Sequence, residues 1–364
     1  MRILFFHYSM QAGGAERMIS LLANDLSHRG VRVEIVTLDH LPSFYPLAPD
    51  ILYIPLNTAR HSRNAADAIK NNLFTLWRLR QALRTFWPDI VIAFYPNTEL
   101  FAYLARGHAH RYCLIGSERA NPHTWSKSIW SVIRKPVSML CDGFIFQTVG
   151  VQALFPKAAQ HKSIVLHNMV DAAQFQAAEL PWAQRSGLCA VGRMDAGKCF
   201  DDLLRALALV VKRHPQTHLD LFGDGAERQN LERLAQELGL TDAVSFRGRS
   251  QSVLQEYARH KIFVMTSRSE GMPNVLLEAM ASGCACVSTD CDFGPSDLIV
   301  SGENGFLVPV HDVEAVAGRI CTLLEDDRLC EQIGCRARAI RETHDTACIG
   351  DQFYRYLEQR LQER

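Results

Sequence analysis

No run of about 18 consecutive apolar residues occurs anywhere in the 364-residue chain, so no segment reads as a membrane-spanning helix. The opening MRILFFHYSM has an apolar burst too short for a secretory h-region and no small-residue cleavage site, and a cytoplasmic location is expected. Among the 11 cysteines no pair has C-x-x-C spacing, and Cys284 and Cys286 merely alternate within an apolar run. Zinc and disulfide frameworks are therefore poor readings, and reduced, mostly buried thiols fit better. The P-loop spacing G-x-x-x-x-G-K-[ST] is missing, as is the dinucleotide fingerprint G-x-G-x-x-G. Low-complexity segments and solenoid-length repeats are missing too. A hydrophobic fraction of 48% with 21% charged residues excludes disorder.

Net charge is absent only on average. Residues 1–170 carry 18 Lys and Arg against 10 Asp and Glu, while the remainder carries 21 against 29. A basic first half joined to an acidic second half points to different partners for each, with something anionic near the first.

What is present is alternation. Short apolar, strand-like runs fall at 2–6, 31–37, 51–54, 89–94, 112–116, 143–147 and 163–166, then at 187–191, 217–222, 243–246, 261–265 and 283–289. Helix-like stretches lie between them, at 16–29, 201–214, 227–238 and 313–324 among others. This predicts parallel sheets with right-handed crossovers, too many strands for one open sheet. The expected architecture is α/β: two doubly wound, Rossmann-like domains at 1–167 and 168–345 facing across a cleft. A C-terminal helix at 346–364 packs back on the first. Such sheets bind ligands at the carboxyl ends of their strands.

The strongest local signal is Ser269-Glu270-Gly271-Met272-Pro273-Asn274 running into Glu278. A buried strand ends near Met265, a turn follows, and a helix begins near Pro273, where proline at the first position loses no hydrogen bond. Backbone N–H groups from Gly271 to Val275 then make a ready anion or hydroxyl site. Glu270 and Glu278, at E-x7-E spacing, suit the hydroxyls of a sugar and a ribose, which carboxylates hold as acceptors. Taken alone, Glu270 reads more readily as a helix cap and Glu278 as a solvated helix position.

Cations are found upstream, in Gly192-Arg193-Met194-Asp195-Ala196-Gly197-Lys198. Arg193 offers a planar fork and Lys198 a compact charge, the two usual grips on phosphate oxygens. The turn Gly223-Asp224-Gly225 permits close backbone approach. Arg249, after a further strand, could stack on or bond a base. In the first half, Gly13-Gly14 opens a helix after the first strand and invites an anionic group.

Together these residues resemble glycosyltransferase family four, whose members are retaining enzymes of GT-B fold. Asn168-Met169-Val170-Asp171 is similar to that family's interdomain Asn-Gly-Val-Asp motif, with methionine for glycine, and the later turns Asp292-Phe293-Gly294-Pro295 and Gly302-Glu303-Asn304-Gly305 match as well.

The resemblance implies roles. Arg193 and Lys198 neutralise a departing diphosphate, Glu278 holds the ribose, and Glu270 holds the transferred sugar beside the backbone of Gly271, Met272, Pro273 and Asn274. Gly223 and Arg249 line the donor, and Gly13 and Gly14 face phosphates or acceptor. No metal or cofactor is implied, and no nucleic acid. Several relatives carry a histidine after the strand matching 112–116. Here Ser117-Glu118-Arg119 stands there, so His123 could substitute, or Glu118 and Arg119 could contact sugar and acceptor. The expected partners are a nucleotide-sugar donor, leaning towards UDP-hexose or UDP-N-acetylhexosamine, and a glycan or polyprenyl-diphosphate-linked acceptor of bacterial surface-polysaccharide assembly.

Residues 123–141 mix Trp125, Trp130 and Met139 with Lys127, Arg134 and Lys135. With Arg78, Arg80 and Arg84 they suit peripheral contact with an anionic membrane, or the tryptophans belong to a core and the cations are merely solvated. The rival readings are a GT-B nucleotide-sugar epimerase, a non-catalytic sugar-nucleotide-binding protein and, more distantly, an NAD-dependent dehydrogenase.

Overall fold

The computed structural model describes residues 1–107, 112–119, 121–122, 129–250 and 252–363, with 129–131 as backbone only. His123, Trp125 and Lys127 lie outside the described residues, as does the side chain of Trp130. The chain divides into two units: Met1–Met169 together with Thr346–Arg364, and Val170–Asp345.

The first unit is built on β1 (Arg2–His7), β2 (Arg32–Thr37), β3 (Leu52–Pro55), β4 (Ile90–Phe94), β5 (Cys113–Ser117), β6 (Gly143–Phe146) and β7 (Ser163–Val165). They pair in parallel in the order β3-β2-β1-β4-β5-β6-β7. Every residue of β4, Ile-Val-Ile-Ala-Phe, is buried, as a strand covered on both faces requires. The helix Gly14–His28 turns Met18, Ile19, Leu22, Ala23 and Leu26 onto Ile3, Phe5, Ile35 and Ile92. The chain's last helix, Thr346–Gln362, joins the same core through Ile349, Phe353, Tyr356 and Leu357. Its Tyr356 hydroxyl accepts from the N–H of Phe144 at 2.8 Å and donates to the carbonyl of Lys162 at 2.7 Å.

The second unit is built on β8 (Leu188–Val191), β9 (Leu219–Phe222), β10 (Val244–Gly248), β11 (Ile262–Met265), β12 (Ala285–Thr289) and β13 (Phe306–Val308). The order is β10-β9-β8-β11-β12-β13, again parallel. The helix Phe200–Arg213 buries Leu203, Leu204, Leu207 and Val210 on one face of this sheet. Asp201 and Asp202 in its first turn and Lys212 and Arg213 in its last match the helix dipole. The opposite face is covered by the helix Asn274–Ala281, whose Leu276, Leu277, Ala279 and Met280 are fully enclosed.

Two details differ from the sequence reading. β13 was not among the expected strands, because three residues beside the Gly302–Gly305 turn show no usable alternation. Pro273 caps its helix from outside, with φ −76° and ψ 106°, instead of occupying the first helical position. Its fixed φ suits either place, and an extended ψ makes it the cap. None of the 11 cysteines is in a disulfide, and Cys335 is exposed and Cys348 half-buried. Among the described residues no helix is long and apolar enough to cross a membrane.

Candidate active site

Each sheet reverses its winding once, between β1 and β4 in the first unit and between β8 and β11 in the second. The turns that leave the carboxyl ends of such neighbouring strands diverge and leave a crevice, which is where doubly wound sheets take ligands.

In the second unit the turn after β8 is Gly192–Lys198 and the turn after β11 is Thr266–Pro273. They are locked together. Thr266 Oγ1 donates to the carbonyls of Lys198 (3.1 Å) and Cys199 (2.9 Å), and the Arg268 N–H donates to the Gly197 carbonyl (3.0 Å). Cys199, in the left-handed region at φ 48°, bends the chain into its helix. The result places Lys198 Nζ 2.6 Å from Glu270 Oε1, with the two side chains 22% and 11% exposed. A lysine and a carboxylate 72 residues apart thus meet at the crevice.

The turn after β9 packs backbone against backbone on the turn after β8. Gly192 N–H donates to the Phe222 carbonyl and Met194 N–H to that of Asp224, both at 3.0 Å. A Cβ on Gly223, whose φ is +133°, would lie 1.8 Å from the Gly192 carbonyl oxygen, and one on Gly225 would lie 2.3 Å from that of Met194. Only glycine fits either place. The Gly223 N–H in turn donates to the Gly248 carbonyl at 2.7 Å, tying in the strand that leads to Arg249.

The other expected donor residues divide by exposure. Glu278 is buried on the helix Asn274–Ala281, with Met272 and Pro273, while Gly271 and Asn274 are half-buried. The first N–H groups of that helix have no intrahelical acceptor. Arg193 lies in solvent: its side chain is 78% exposed and pairs with Asp195 at 2.8 Å. Arg249 is exposed on its turn. Cys199, Asp202 and His311 bring potential metal-ligand atoms within 4.8 Å of one another. Asp202 is already engaged by His311 at 2.7 Å, and the Cys199 thiol donates to the carbonyls of Ala196 and Gly197.

In the first unit the carboxyl ends of β1, β4 and β5 gather a second polar group. Gly13, extended at φ −171°, caps the helix Gly14–His28, and its carbonyl accepts from the Tyr45 hydroxyl at 3.1 Å. Glu16 folds back over Gly13 and meets His7 Nε2 at 3.1 Å. His7 is buried between the rings of Phe94 and Tyr95. Arg119 is buried; its Nε donates to Ser117 Oγ and its Nη1 to Asn168 Oδ1, both at 3.1 Å. Desolvation lowers its pKa to about 10. Glu118 is turned inward against Arg134 at 3.4 Å, both almost wholly buried. Burial of this pair leaves Glu118 little to offer a ligand. Desolvation, reinforced by the neighbouring charge of Glu118, holds the buried Glu99 carboxyl well above its usual range.

Comparison with known proteins completes the picture. The family model Glycosyltransferase Family 4 matches residues 12–174, and the model Glycosyl transferases group 1 matches residues 176–340. The chain belongs to the family-four type of glycosyltransferases. A Campylobacter jejuni relative is 26% identical over 336 residues, covering 92% of this chain and 91% of that protein. Its name describes an alpha-1,4-N-acetyl-D-galactosaminyltransferase acting on a glycan carried by PP-undecaprenol. A lipopolysaccharide core biosynthesis glycosyltransferase of Rhizobium meliloti is 27% identical over 351 residues, covering 95% and 94%. The solved structure of Anabaena HepE in complex with UDP and glucose superposes with a TM-score of 0.80 at 20% identity, over 99% of this chain and 100% of that one.

The transferase therefore has the two parallel-sheet, Rossmann-like domains of the GT-B fold, and its relatives work in bacterial surface-polysaccharide biosynthesis, lipid-linked acceptors included. The epimerase alternative finds no support among them. Sequence reasoning did not single out His7, although a histidine closing an otherwise apolar β1 just before a glycine pair was the signal available.

Proposed function

We propose that this transferase moves a hexose or N-acetylhexosamine, with retention of anomeric configuration, from a UDP-sugar to a polyprenyl-diphosphate-linked glycan. The observation that carries this reading is the Lys198–Glu270 pair at the β8/β11 switch point. An ammonium held there by one carboxylate is positioned to exchange part of that contact for a diphosphate, whose negative charge grows as the sugar departs. Glu270, relieved of its partner, accepts hydrogen bonds from the sugar hydroxyls, and Glu278 from the ribose. Arg193 swings its exposed fork from Asp195 to the same diphosphate. Lys198 and Arg193 do the work of a metal, and none is required. UDP in the HepE complex and the PP-undecaprenol substrate named for the Campylobacter enzyme support the donor and acceptor classes.

The acceptor class fits a surface of the first unit. On the helix Ala65–Phe86, Ile69, Leu73 and Trp77 are 62%, 62% and 57% exposed and recur at i, i+4 and i+8 as one stripe. Lys70, Arg80 and Arg84 are exposed on the same helix, with Arg78 half-buried, and its lone acidic residue, Asp67, is taken by Arg63. An apolar stripe flanked by cations matches an anionic bilayer surface. Incubation with a panel of UDP- and GDP-sugars tests the central reading. Nucleotide release, with an NMR-observed product that keeps the donor's anomeric configuration, is expected. An inert panel, or an inverted product, overturns it.

A further inference from the structure

At the amino-terminal end of β7, opposite the end that holds His7 and Arg119, the last helix leaves a cavity of about 340 Å³ against the sheet edge. Four of its lining residues are basic: His161 and Lys162 from the approach to β7, Arg355 and Arg360 from the helix Thr346–Gln362. Among the described residues no carboxylate lines it.

The walls are fixed. Tyr356 is pinned by its hydroxyl to Phe144 and Lys162, and a Cβ on Gly143 would come within 2.5 Å of that hydroxyl. Lys162 Nζ donates to the carbonyls of Met139 (2.9 Å) and Cys141. Burial lowers its pKa, against the opposing pull of Cys141 and Asp142 and with a smaller contribution from the charge of Arg360. Arg360 is held over the Tyr356 ring with its side chain 12% exposed. Glu363 takes its Nη2, while the enclosed Nε has no partner among the described residues. Basic side chains that line one cavity, with no carboxylate among its described lining residues, are stabilised by an anion that fills the space between them.

We propose that this cavity binds a phosphate group, carried by an anionic lipid headgroup or by a free phosphoanion. Phosphate has the acceptor count and geometry for an arginine fork, an ammonium and an imidazole at once. Exposed Met139 and Leu140, beside the carbonyls that hold Lys162, supply the apolar surround that a headgroup would bring with it. The site is distinct from the donor crevice and stands whatever sugar is transferred.

The test uses the full chain with inorganic phosphate in one arm and phosphatidylglycerol vesicles in the other. Comparison is made among wild type, Arg355→Gln, Arg360→Gln and a Lys198→Ala control. Saturable phosphate binding that persists in Lys198→Ala and weakens about tenfold or more in Arg355→Gln supports a free phosphoanion. Vesicle binding that is lost in Arg355→Gln and competed by phosphate supports the headgroup. Arg355 is exposed and makes no side-chain hydrogen bond or ion pair among the described residues, so its variant keeps the fold and the donor hydrolysis rate. Wild-type behaviour of both arginine variants in both arms overturns the site. Loss of phosphate binding in Lys198→Ala alone assigns the anion to the donor crevice and overturns it equally.

Discussion

Replacing Lys198 by alanine separates what its ion pair does for folding from what it does for chemistry. At 2.6 Å and an effective dielectric near 20, the attraction between Lys198 and Glu270 is about 6 kcal/mol before desolvation is counted. Most of that is offset by the water both groups give up. The net loss on deletion is the cost of leaving Glu270, 11% exposed, without its partner: about 1–3 kcal/mol. Chemical denaturation at neutral pH should show this as a lower midpoint with an unchanged slope. Turnover should fall further. An ammonium that meets the departing diphosphate acts like one donor of an oxyanion hole, and its removal costs about 10²–10³ in kcat. The double variant Lys198→Ala/Glu270→Ala should recover most of the lost stability and none of the lost rate, since it removes the stranded carboxylate but restores no cation. The reasoning is refuted if Lys198→Ala keeps kcat within about threefold of wild type, less than a 1 kcal/mol change in barrier. It is refuted as well if the double variant regains turnover together with stability.

Three further outcomes are expected. Gly223→Ala forces a Cβ into the Gly192 carbonyl at a φ of +133°, so it should cost about 2 kcal/mol or more and abolish nucleotide-sugar binding in a thermal-shift titration. Glu34, on β2, has its carboxyl pushed up by burial alone to about 7, with Oε1 enclosed and unpartnered among the described residues. A raised acid pKa penalises the folded state only where the unfolded chain is ionised, so the cost is nil below the ordinary glutamate range, grows from there, and is complete above about 7. Glu34→Gln should accordingly stabilise by about 1–3 kcal/mol near pH 8 and by nothing near pH 4, read from denaturation midpoints. Changing Ile69, Leu73 and Trp77 together to serine should abolish sedimentation with anionic vesicles at low salt. It should leave the melting temperature within about a degree or two, because exposed side chains carry little packing energy.

The fold was largely legible because buried parallel strands write themselves as short apolar runs. Ile-Val-Ile-Ala-Phe of β4 and Ala-Cys-Val-Ser-Thr of β12 are buried throughout, and their neighbours share the pattern. Glycine turns were legible for a local reason: Gly223-Asp224-Gly225 has the spacing of a tight bend wherever it occurs. What the bend presses against was not, since the Gly192 carbonyl belongs to another turn. Lys198 and Glu270 were each visible as candidates, but their direct pairing depends on β8 lying beside β11, a fact of sheet order that one sequence does not state. Arg119 shows the converse. Its position after β5 suggested a ligand contact, while its bond to Asn168 depends on a segment 49 residues further along the chain.

The helix Thr346–Gln362 sets an order on synthesis. Residues 170–345 form a unit with its own sheet and core, complete once Asp345 has left the ribosome. The unit begun at Met1 must wait. Ile349, Phe353, Tyr356 and Leu357, which close its core and pin the starts of β6 and β7, are made only after the whole of the second unit. A nascent chain halted at residue 345 would carry a finished second unit beside a first unit with its hydrophobic face uncovered. Such a chain is the form of this protein that chaperones and proteases would engage first.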